Sequence, residues 1–196
     1  EPHAPQLPAT FPPIRSLDNR PNNLPAEPTS FIGREEHVSA IAAILLEPDT
    51  RVVTLTGAGG TGKTRLALSV ARQVDSDFPQ GLFFVNLAPI TDAALVLPAI
   101  ARTLAIQEMP GHPLIDSVEH QLRDKRLLLV LDNLEQVIAA SSIIGELLSR
   151  CPNLRAICTS RIALNLRSER EYRVPPLTLP TVSTSAADKS DPRDCE

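Results

Sequence analysis

The residues with the clearest chemical potential form a glycine-rich segment at positions 57–64. The segment consists of Gly57, Ala58, Gly59, Gly60, Thr61, Gly62, Lys63 and Thr64. It fits the pattern GxxxxGK[ST], in which backbone N–H groups and a helix N-terminus surround an anion. Glycine lets the backbone take positive φ angles and approach phosphate oxygens closely. We therefore expect this segment, with Arg65 after it, to bind a polyphosphate; a glycine-rich turn without a ligand is the alternative.

Three side chains are candidates for holding the phosphates and a metal ion. Lys63 is expected to bridge the β- and γ-phosphates of a nucleoside triphosphate, and the Thr64 hydroxyl to ligate Mg²⁺. Asp132 follows the apolar run 127–131 and is the second expected Mg²⁺ ligand, as in Walker-B segments. By itself, an Asp after an apolar strand is more often a turn or cap residue. The glycine-rich segment about 70 residues earlier favours the metal site.

Residues that follow the apolar runs 127–131 and 154–159 could take part in hydrolysis or contact the γ-phosphate. Asn133 stands where fast ATPases usually have a Glu, and its amide can orient water but cannot accept a proton. Glu135 could reach the site, or it could be an acid at a helix N-terminus. Arg161, in the segment 159–161, could face the γ-phosphate, or could simply leave the strand towards solvent. The catalytic candidates are Lys63, Asp132, Asn133, Glu135 and Arg161, and slow hydrolysis is expected.

Short apolar runs alternate with stretches that have helical periodicity, which predicts an α/β fold with a doubly wound parallel sheet. The predicted strands are 51–56, 82–87, 127–131 and 154–159, with a fifth at 171–174. The predicted helices are 63–74, 93–104, 117–123 and 135–150, and a short helix runs to about residue 46. Pro98 should kink the second of these helices or mark a start. Ligands of such sheets bind beyond the carboxyl ends of the strands.

Composition sets the domain limits and excludes several classes of protein. The 196 residues carry a net charge of −4 and few aromatic residues, which argues against direct nucleic-acid contact. No apolar run approaches the ~20 residues that span a bilayer, and no signal peptide is visible, so a cytoplasmic location is expected. The three cysteines are predicted to be reduced thiols without a metal.

Eight of the 19 prolines lie in residues 1–28, which are predicted to be a linker without helix or paired strand. The folded domain is expected at 29–180, and residues 181–196 are expected to be a disordered polar tail.

Five motifs in this order resemble the nucleotide-binding domain of the signal transduction ATPases with numerous domains (STAND), relatives of the NB-ARC ATPases. They are FIGREE at 31–36, GAGGTGKT at 57–64, LLLVLDNLE at 127–135, TSR at 159–161 and VPPL at 174–177. The resemblance implies a P-loop NTPase sheet with an additional strand between the Walker-A and Walker-B strands. It also implies that Gly33 and Arg34 lie against the adenine of ATP or ADP and that Arg161 faces the γ-phosphate. In the family, the two nucleotides hold the module open or closed and turnover is slow.

The resemblance further implies covalent neighbours. The proline-rich lead-in is similar to linkers that follow a cyclase domain in bacterial proteins, and similar ATPase domains occur in LuxR-type and AfsR-type regulators. An upstream cyclase or DNA-binding domain is therefore expected, with a winged-helix domain and a repeat sensor downstream. The family's Gly-x-Pro lid motif is not found after residue 180, so we expect either a piece of a longer protein or the product of a reading frame that ends early. A nucleotide-dependent homo-oligomer of the full-length protein is a further expectation.

Together these features predict an ATP/ADP-binding domain with Mg²⁺ that acts as a slowly hydrolysing regulatory switch in a bacterial signalling or transcription-regulatory protein. Two alternatives remain open from the sequence. One is a small-molecule P-loop kinase, and the other is a degenerate interaction module that has kept the fold but lost nucleotide binding and turnover.

Overall fold

The computed structural model describes residues 20–26 and 33–176, and in them the chain forms one sheet of five parallel strands. The strands are β1 (Val52–Thr56), β2 (Leu82–Asn86), β3 (Leu128–Asp132), β4 (Arg155–Ser160) and β5 (Glu169–Arg173). Their order is β2-β3-β4-β1-β5, so β4 separates the strand before the glycine-rich loop from the strand that ends in Asp132. This confirms the α/β fold and the additional strand that the motifs imply.

Helices cover both faces of the sheet. They are α1 (Glu35–Leu46), α2 (Lys63–Gln73), α3 (Val96–Thr103), α4 (Leu114–Leu122) and α5 (Ser141–Arg150). Side chains of the central strands alternate between two apolar clusters: Val53 and Val130 pack with α1 and α2, whereas Leu129 and Leu131 pack with α3, α4 and α5. Because both faces are covered, β1 and β3 are buried along their whole length. Within the described ranges, no helix has the length and apolarity needed to cross a bilayer.

Three of the predicted helices differ from the observed ones. The helix expected at 117–123 is α4, which begins three residues earlier, at Leu114. The stretch expected as one helix over 135–150 contains 3₁₀ turns at Leu134–Gln136 and Ile138–Ala140 before α5 begins. Val137, with φ −130°, interrupts the helix and is itself buried. The helix expected from 93 begins as a 3₁₀ turn, and Pro98 lies in the first turn of α3, where its missing N–H costs no hydrogen bond.

In residues 20–26 the proline-rich segment forms neither a helix nor a strand, as expected, but it lies along the open edge of β2 and makes backbone contacts with that edge that the sequence did not predict. The N–H of Leu82 donates to Pro21 O at 3.0 Å, and Asn22 forms a parallel bridge with Leu82. The side chain of Asn23 donates to Phe84 O at 2.9 Å and accepts from Phe84 N–H at 2.6 Å. An asparagine amide carries a donor and an acceptor, so it supplies the pairing that nearby prolines cannot.

The remaining expectations about the chain ends concern residues that lie outside those described. These are the linker residues 1–19, the start of FIGREE in 27–32, and the polar tail at 181–196. Cys151 and Cys158 are free and buried thiols, as expected, and Cys195 lies outside the described residues.

Candidate functional site

The glycine-rich loop connects the end of β1 to the first residue of α2, at the carboxyl edge of the sheet. Gly57, Gly60 and Gly62 have φ angles of 148°, 80° and 85°. These positive values are favourable for glycine and strained for other residues, so the loop shape depends on the residue type. At Gly57 a side chain would also meet the backbone, because an added Cβ would lie 3.0 Å from Val174 O. The loop therefore has the compact turn that the motif predicts, with Gly59 and Thr61 between these positions.

Lys63 lies inside the curve of this loop. Its Nζ donates to the carbonyl oxygens of Gly57 and Ala58, both at 2.8 Å, and the residue is buried. Thr61 closes the same turn by donating its hydroxyl proton to Ala58 O at 3.0 Å. A lysine ammonium has three N–H donors, so one remains for a ligand at the mouth of the loop. Arg65 lies half-buried in the first turn of α2.

Asp132 is brought to the loop by its position at the end of β3, two strands away from β1. Its Oδ1 accepts hydrogen bonds from the hydroxyl of Thr64 at 2.7 Å and from the hydroxyl of Thr159 at 2.6 Å. The Thr159 oxygen in turn accepts from the N–H of Asn133 at 2.9 Å. We call Thr64, Asp132, Thr159 and the Asn133 N–H the hydroxyl–carboxylate network. Its hydroxyl and carboxylate oxygens are the ligand types that Mg²⁺ prefers, so Thr64 and Asp132 fit that ion.

Sequence reasoning assigned no role to Thr159 itself, although its segment was singled out. The signal was present in the predicted strand order: if β4 adjoins β3, a polar residue at the end of β4 must face the carboxylate that ends β3. Register confirms this neighbourhood, because Leu131 pairs with Cys158. Thr159 is fully buried, and its hydroxyl satisfies two groups at once.

Asn133 and Glu135 follow Asp132 in a tight turn. Asn133 takes a left-handed conformation, with φ 68° and ψ 45°, and Leu134 after it is fully buried. This turn directs Glu135 towards the end of β4, where its Oε1 lies 3.5 Å from Arg161 Nε. The other carboxylate oxygen of Glu135 is buried and has no hydrogen-bond partner in the described part of the chain. Glu135 lies in the short 3₁₀ turn Leu134–Gln136, whereas the α-helix expected to begin near it, α5, begins only at Ser141.

Arg161 is the first residue after β4 and borders the glycine-rich loop. Thr56 pairs with Ser160 in the register of β1 and β4, so Gly57 and Arg161 continue neighbouring strands. Both line a cavity of about 380 Å³. The Arg161 side chain is 69% exposed, whereas the side chain of Glu135, its ion-pair partner, is 19% exposed.

Gly33 and Arg34 lie at the start of α1 and reach the loop indirectly. Arg34 is buried, and its Nη2 donates to Pro175 O at 2.8 Å. The preceding residue, Val174, donates its N–H to Thr56 O at 2.8 Å and packs against Gly57. Gly33 has φ 83°, and its N–H donates to the Glu35 carboxylate at 3.2 Å. Hydrogen bonds from the amides of Glu35 itself and of Gly33 lower the pKa of that carboxyl.

The fold and this arrangement of residues define a P-loop NTPase domain. A parallel sheet carries a glycine-rich loop between β1 and α2, and a carboxylate at the end of β3 meets the first turn of α2 across one intervening strand. The structure brings Lys63, Thr64, Asp132 and Arg161 to one edge of the sheet, with Glu135 against Arg161. Gly33 and Arg34 lie beside Pro175, on the β5 side of the same loop.

Comparison with known proteins identifies the family. Residues 34–167 match the NB-ARC domain, and the chain belongs to this family of P-loop ATPases. An uncharacterized protein of Mycobacterium tuberculosis is 40% identical over 152 residues, which are 77% of this chain and 38% of that protein. The regulatory protein AfsR of Streptomyces griseus is 30% identical over 156 residues, which are 74% of this chain and 16% of AfsR. The chain thus spans well under half the length of both relatives.

The fold also matches solved structures. The crystal structure of Cdc6p from Pyrobaculum aerophilum superimposes with a TM-score of 0.57 at 18% identity, over 77% of this chain and 47% of that protein. At this identity the match concerns the fold alone.

Proposed function

We propose that this domain binds ATP and ADP with Mg²⁺ and serves as a slowly hydrolysing regulatory switch in a larger bacterial protein. The observation that carries the proposal is the meeting of Lys63, Thr64 and Asp132 at the mouth of a loop with three positive-φ glycines. Loop amides and the Lys63 ammonium would bind the phosphates, and the oxygens of Thr64 and Asp132 would hold Mg²⁺. Mg²⁺ would neutralise part of the phosphate charge.

Slow hydrolysis follows from the groups near the γ-phosphate position. Water must bond to the γ-phosphorus while the bond to the bridging oxygen of ADP breaks, and the water must lose a proton to a base. Asn133 cannot accept that proton. Asp132 already accepts two hydroxyl hydrogen bonds through Oδ1. Glu135 is the remaining candidate acceptor, and its carboxylate faces Arg161. We therefore expect turnover well below the enzyme median of ~10 s⁻¹.

The regulatory part of the proposal rests on the relatives. AfsR is named as a regulatory protein, and this chain corresponds to 16% of its length. A nucleotide domain that occupies a small share of a regulator is well suited to report ATP or ADP to its covalent neighbours. The proposal also includes the covalent neighbours: a cyclase or DNA-binding domain upstream, and a winged-helix domain and repeat sensor downstream. It further includes a cytoplasmic location and nucleotide-dependent self-association.

Calorimetry of Mg-ADP and Mg-ATP binding tests the nucleotide site directly. Lys63→Ala should abolish measurable binding, because the buried ammonium at the loop is lost. Lys125→Ala removes an exposed lysine just before the opposite end of β3 and should bind like the parent. Equal affinities in the parent and Lys63→Ala would overturn the proposal. Absence of binding by the parent would instead favour the interaction module, and transfer of phosphate to a small molecule would favour the kinase.

A further inference from the structure

The carboxylate of Glu135 is in an incompletely satisfied environment. One oxygen faces Arg161 Nε at 3.5 Å, and the other is buried without a hydrogen-bond partner among the described residues. A buried carboxylate oxygen with no donor is unfavourable, because desolvation is not compensated. Such atoms are uncommon in native structures, and a different set of contacts in a ligand-bound state would account for this one.

The two members of this ion pair differ in how firmly they are held. Glu135 is 19% exposed and belongs to the 3₁₀ turn that buried Leu134 fixes beneath β3. Arg161 is 69% exposed and follows the last residue of β4, so its long side chain is free to change direction. Ion pairs with one largely solvated member are weak. The Glu135–Arg161 contact can therefore be exchanged for another without unfolding the surrounding structure.

A second anion would compete for the same guanidinium. Arg161 and Gly57 line one cavity, so the arginine borders the loop proposed to hold the phosphates. A terminal phosphate carries more negative charge than a carboxylate and accepts two parallel hydrogen bonds from a guanidinium. Arg161 thus has two alternative partners: Glu135, or the third phosphate of a nucleotide on the loop.

We infer that Glu135 retains Arg161 until a third phosphate displaces it, and that this exchange sets how strongly the site prefers ATP over ADP. The inference rests on the proposed function and assigns to Glu135 a positioning role that opposes ATP selectively. With ADP, the pair stays intact. With ATP, Arg161 leaves the carboxylate, and Glu135 is left with an unpaired negative charge. This charge limits the gain in affinity for ATP.

The test is a double-mutant cycle on nucleotide preference. Affinities for Mg-ADP and for the Mg²⁺ complex of a non-hydrolysable ATP analogue are measured in the parent, Glu135→Gln, Arg161→Gln and the double variant. Glu135→Gln keeps the side-chain shape and should raise the preference for the analogue about fivefold. Arg161→Gln should lower that preference and leave ADP binding unchanged. In the Arg161→Gln background, Glu135→Gln should have almost no effect.

Arg173→Gln is the matched control, because Arg173 lines the same cavity but lies 4.0 Å from Glu171 instead of Glu135. It should leave the preference at the parental value. The inference is overturned if Glu135→Gln changes the affinity for both nucleotides equally, if its effect persists without Arg161, or if Arg161→Gln abolishes ADP binding. A shift in Arg173→Gln as large as that in Arg161→Gln would also overturn it. If the parent binds neither nucleotide, the proposed function fails first.

Discussion

Two polar clusters at the same edge of the sheet are built in opposite ways. In the hydroxyl–carboxylate network, Asp132 and Thr159 are buried and Thr64 and Asn133 are half-buried; the contacts measure 2.6–2.9 Å, and each group has a partner. The Glu135–Arg161 pair lies 3.5 Å apart, with one member mostly in solvent and one carboxylate oxygen unsatisfied. A fully satisfied buried network is rigid, whereas a partly satisfied exposed pair is free to rearrange. Under the proposed function, the first cluster would be a fixed metal-binding part and the second a movable sensing part.

The largest expected effect breaks the fixed cluster by removing its charge. Asp132→Asn keeps an oxygen that can accept from both threonine hydroxyls, so the fold should persist. The variant should bind Mg-ADP at least about 100-fold more weakly, because even indirect neighbours of a metal contribute 10–100-fold. Calorimetry with and without Mg²⁺ measures this, with Asp124→Asn as an exposed control. An unchanged Mg²⁺ dependence would show that Asp132 is no metal ligand.

The next prediction compares two buried threonines. Thr159→Val removes the acceptor of the Asn133 N–H and a donor to Asp132, and should lower the free energy of unfolding by about 1–3 kcal/mol. Thr54→Val, in β1, should be neutral or stabilising, because the Thr54 hydroxyl is buried without a hydrogen-bond partner in the described chain. Urea denaturation of both variants decides the matter. Equal decreases in the free energy of unfolding for the two variants would mean that the hydroxyl–carboxylate network does not stabilise the fold.

A buried thiol gives a pH test of rigid packing elsewhere in the domain. Burial raises the pKa of the Cys151 thiol to about 11, from an ordinary value of 9.0. The folded state therefore holds this proton more tightly than the unfolded chain does. The contribution of this thiol to the free energy of unfolding is constant below pH 9 and is lost as the pH rises from 9 to 11. At pH 10 the free energy of unfolding is lower by about 1 kcal/mol for this reason. Urea denaturation of the parent and Cys151→Ala at pH 8 and pH 10 measures this loss. If the free energy of unfolding changed equally with pH in both proteins, the prediction would be contradicted.

The smallest expected effect concerns the movable cluster. Arg161→Gln should change the free energy of unfolding by less than about 0.5 kcal/mol, because the exposed ion pair contributes little. Arg51→Gln is the comparison, since the half-buried Arg51 guanidinium donates to the carbonyls of Leu148 and Leu154 at 2.8 and 3.1 Å. Arg51→Gln should lower the free energy of unfolding clearly more than Arg161→Gln does. A large loss in Arg161→Gln would place Arg161 in the rigid framework instead.

The central strands were predictable because burial on both faces requires continuous apolar runs, and such runs have few other structural uses. The resemblance to the family supplied the position of β4, which apolar periodicity alone does not determine. β5 was harder to delimit: Tyr172 is the one apolar residue in this strand of charged residues, and the strand begins two residues before the predicted start.

Other features could not be predicted because they depend on partners distant in sequence. Asn23 looks like a loop residue, and only the open edge of β2 turns its amide into a pairing group. The break at Val137 within a periodic helical pattern serves the burial of Leu134 and Val137 at the end of β3. Thr159 needed both the strand order and the register before its hydroxyl could be assigned to Asp132.

The segment 20–26 also determines where the domain can be cut. It satisfies backbone groups of Leu82 and Phe84 along one border of the sheet, while the opposite border is formed by the charged strand β5. An edge strand with unpaired backbone groups can pair with the same strand of another molecule. A recombinant version starting at α1 would therefore tend to self-associate through Leu82–Asn86, whereas one starting before Arg20 would stay dispersed, and light scattering of the two would distinguish them.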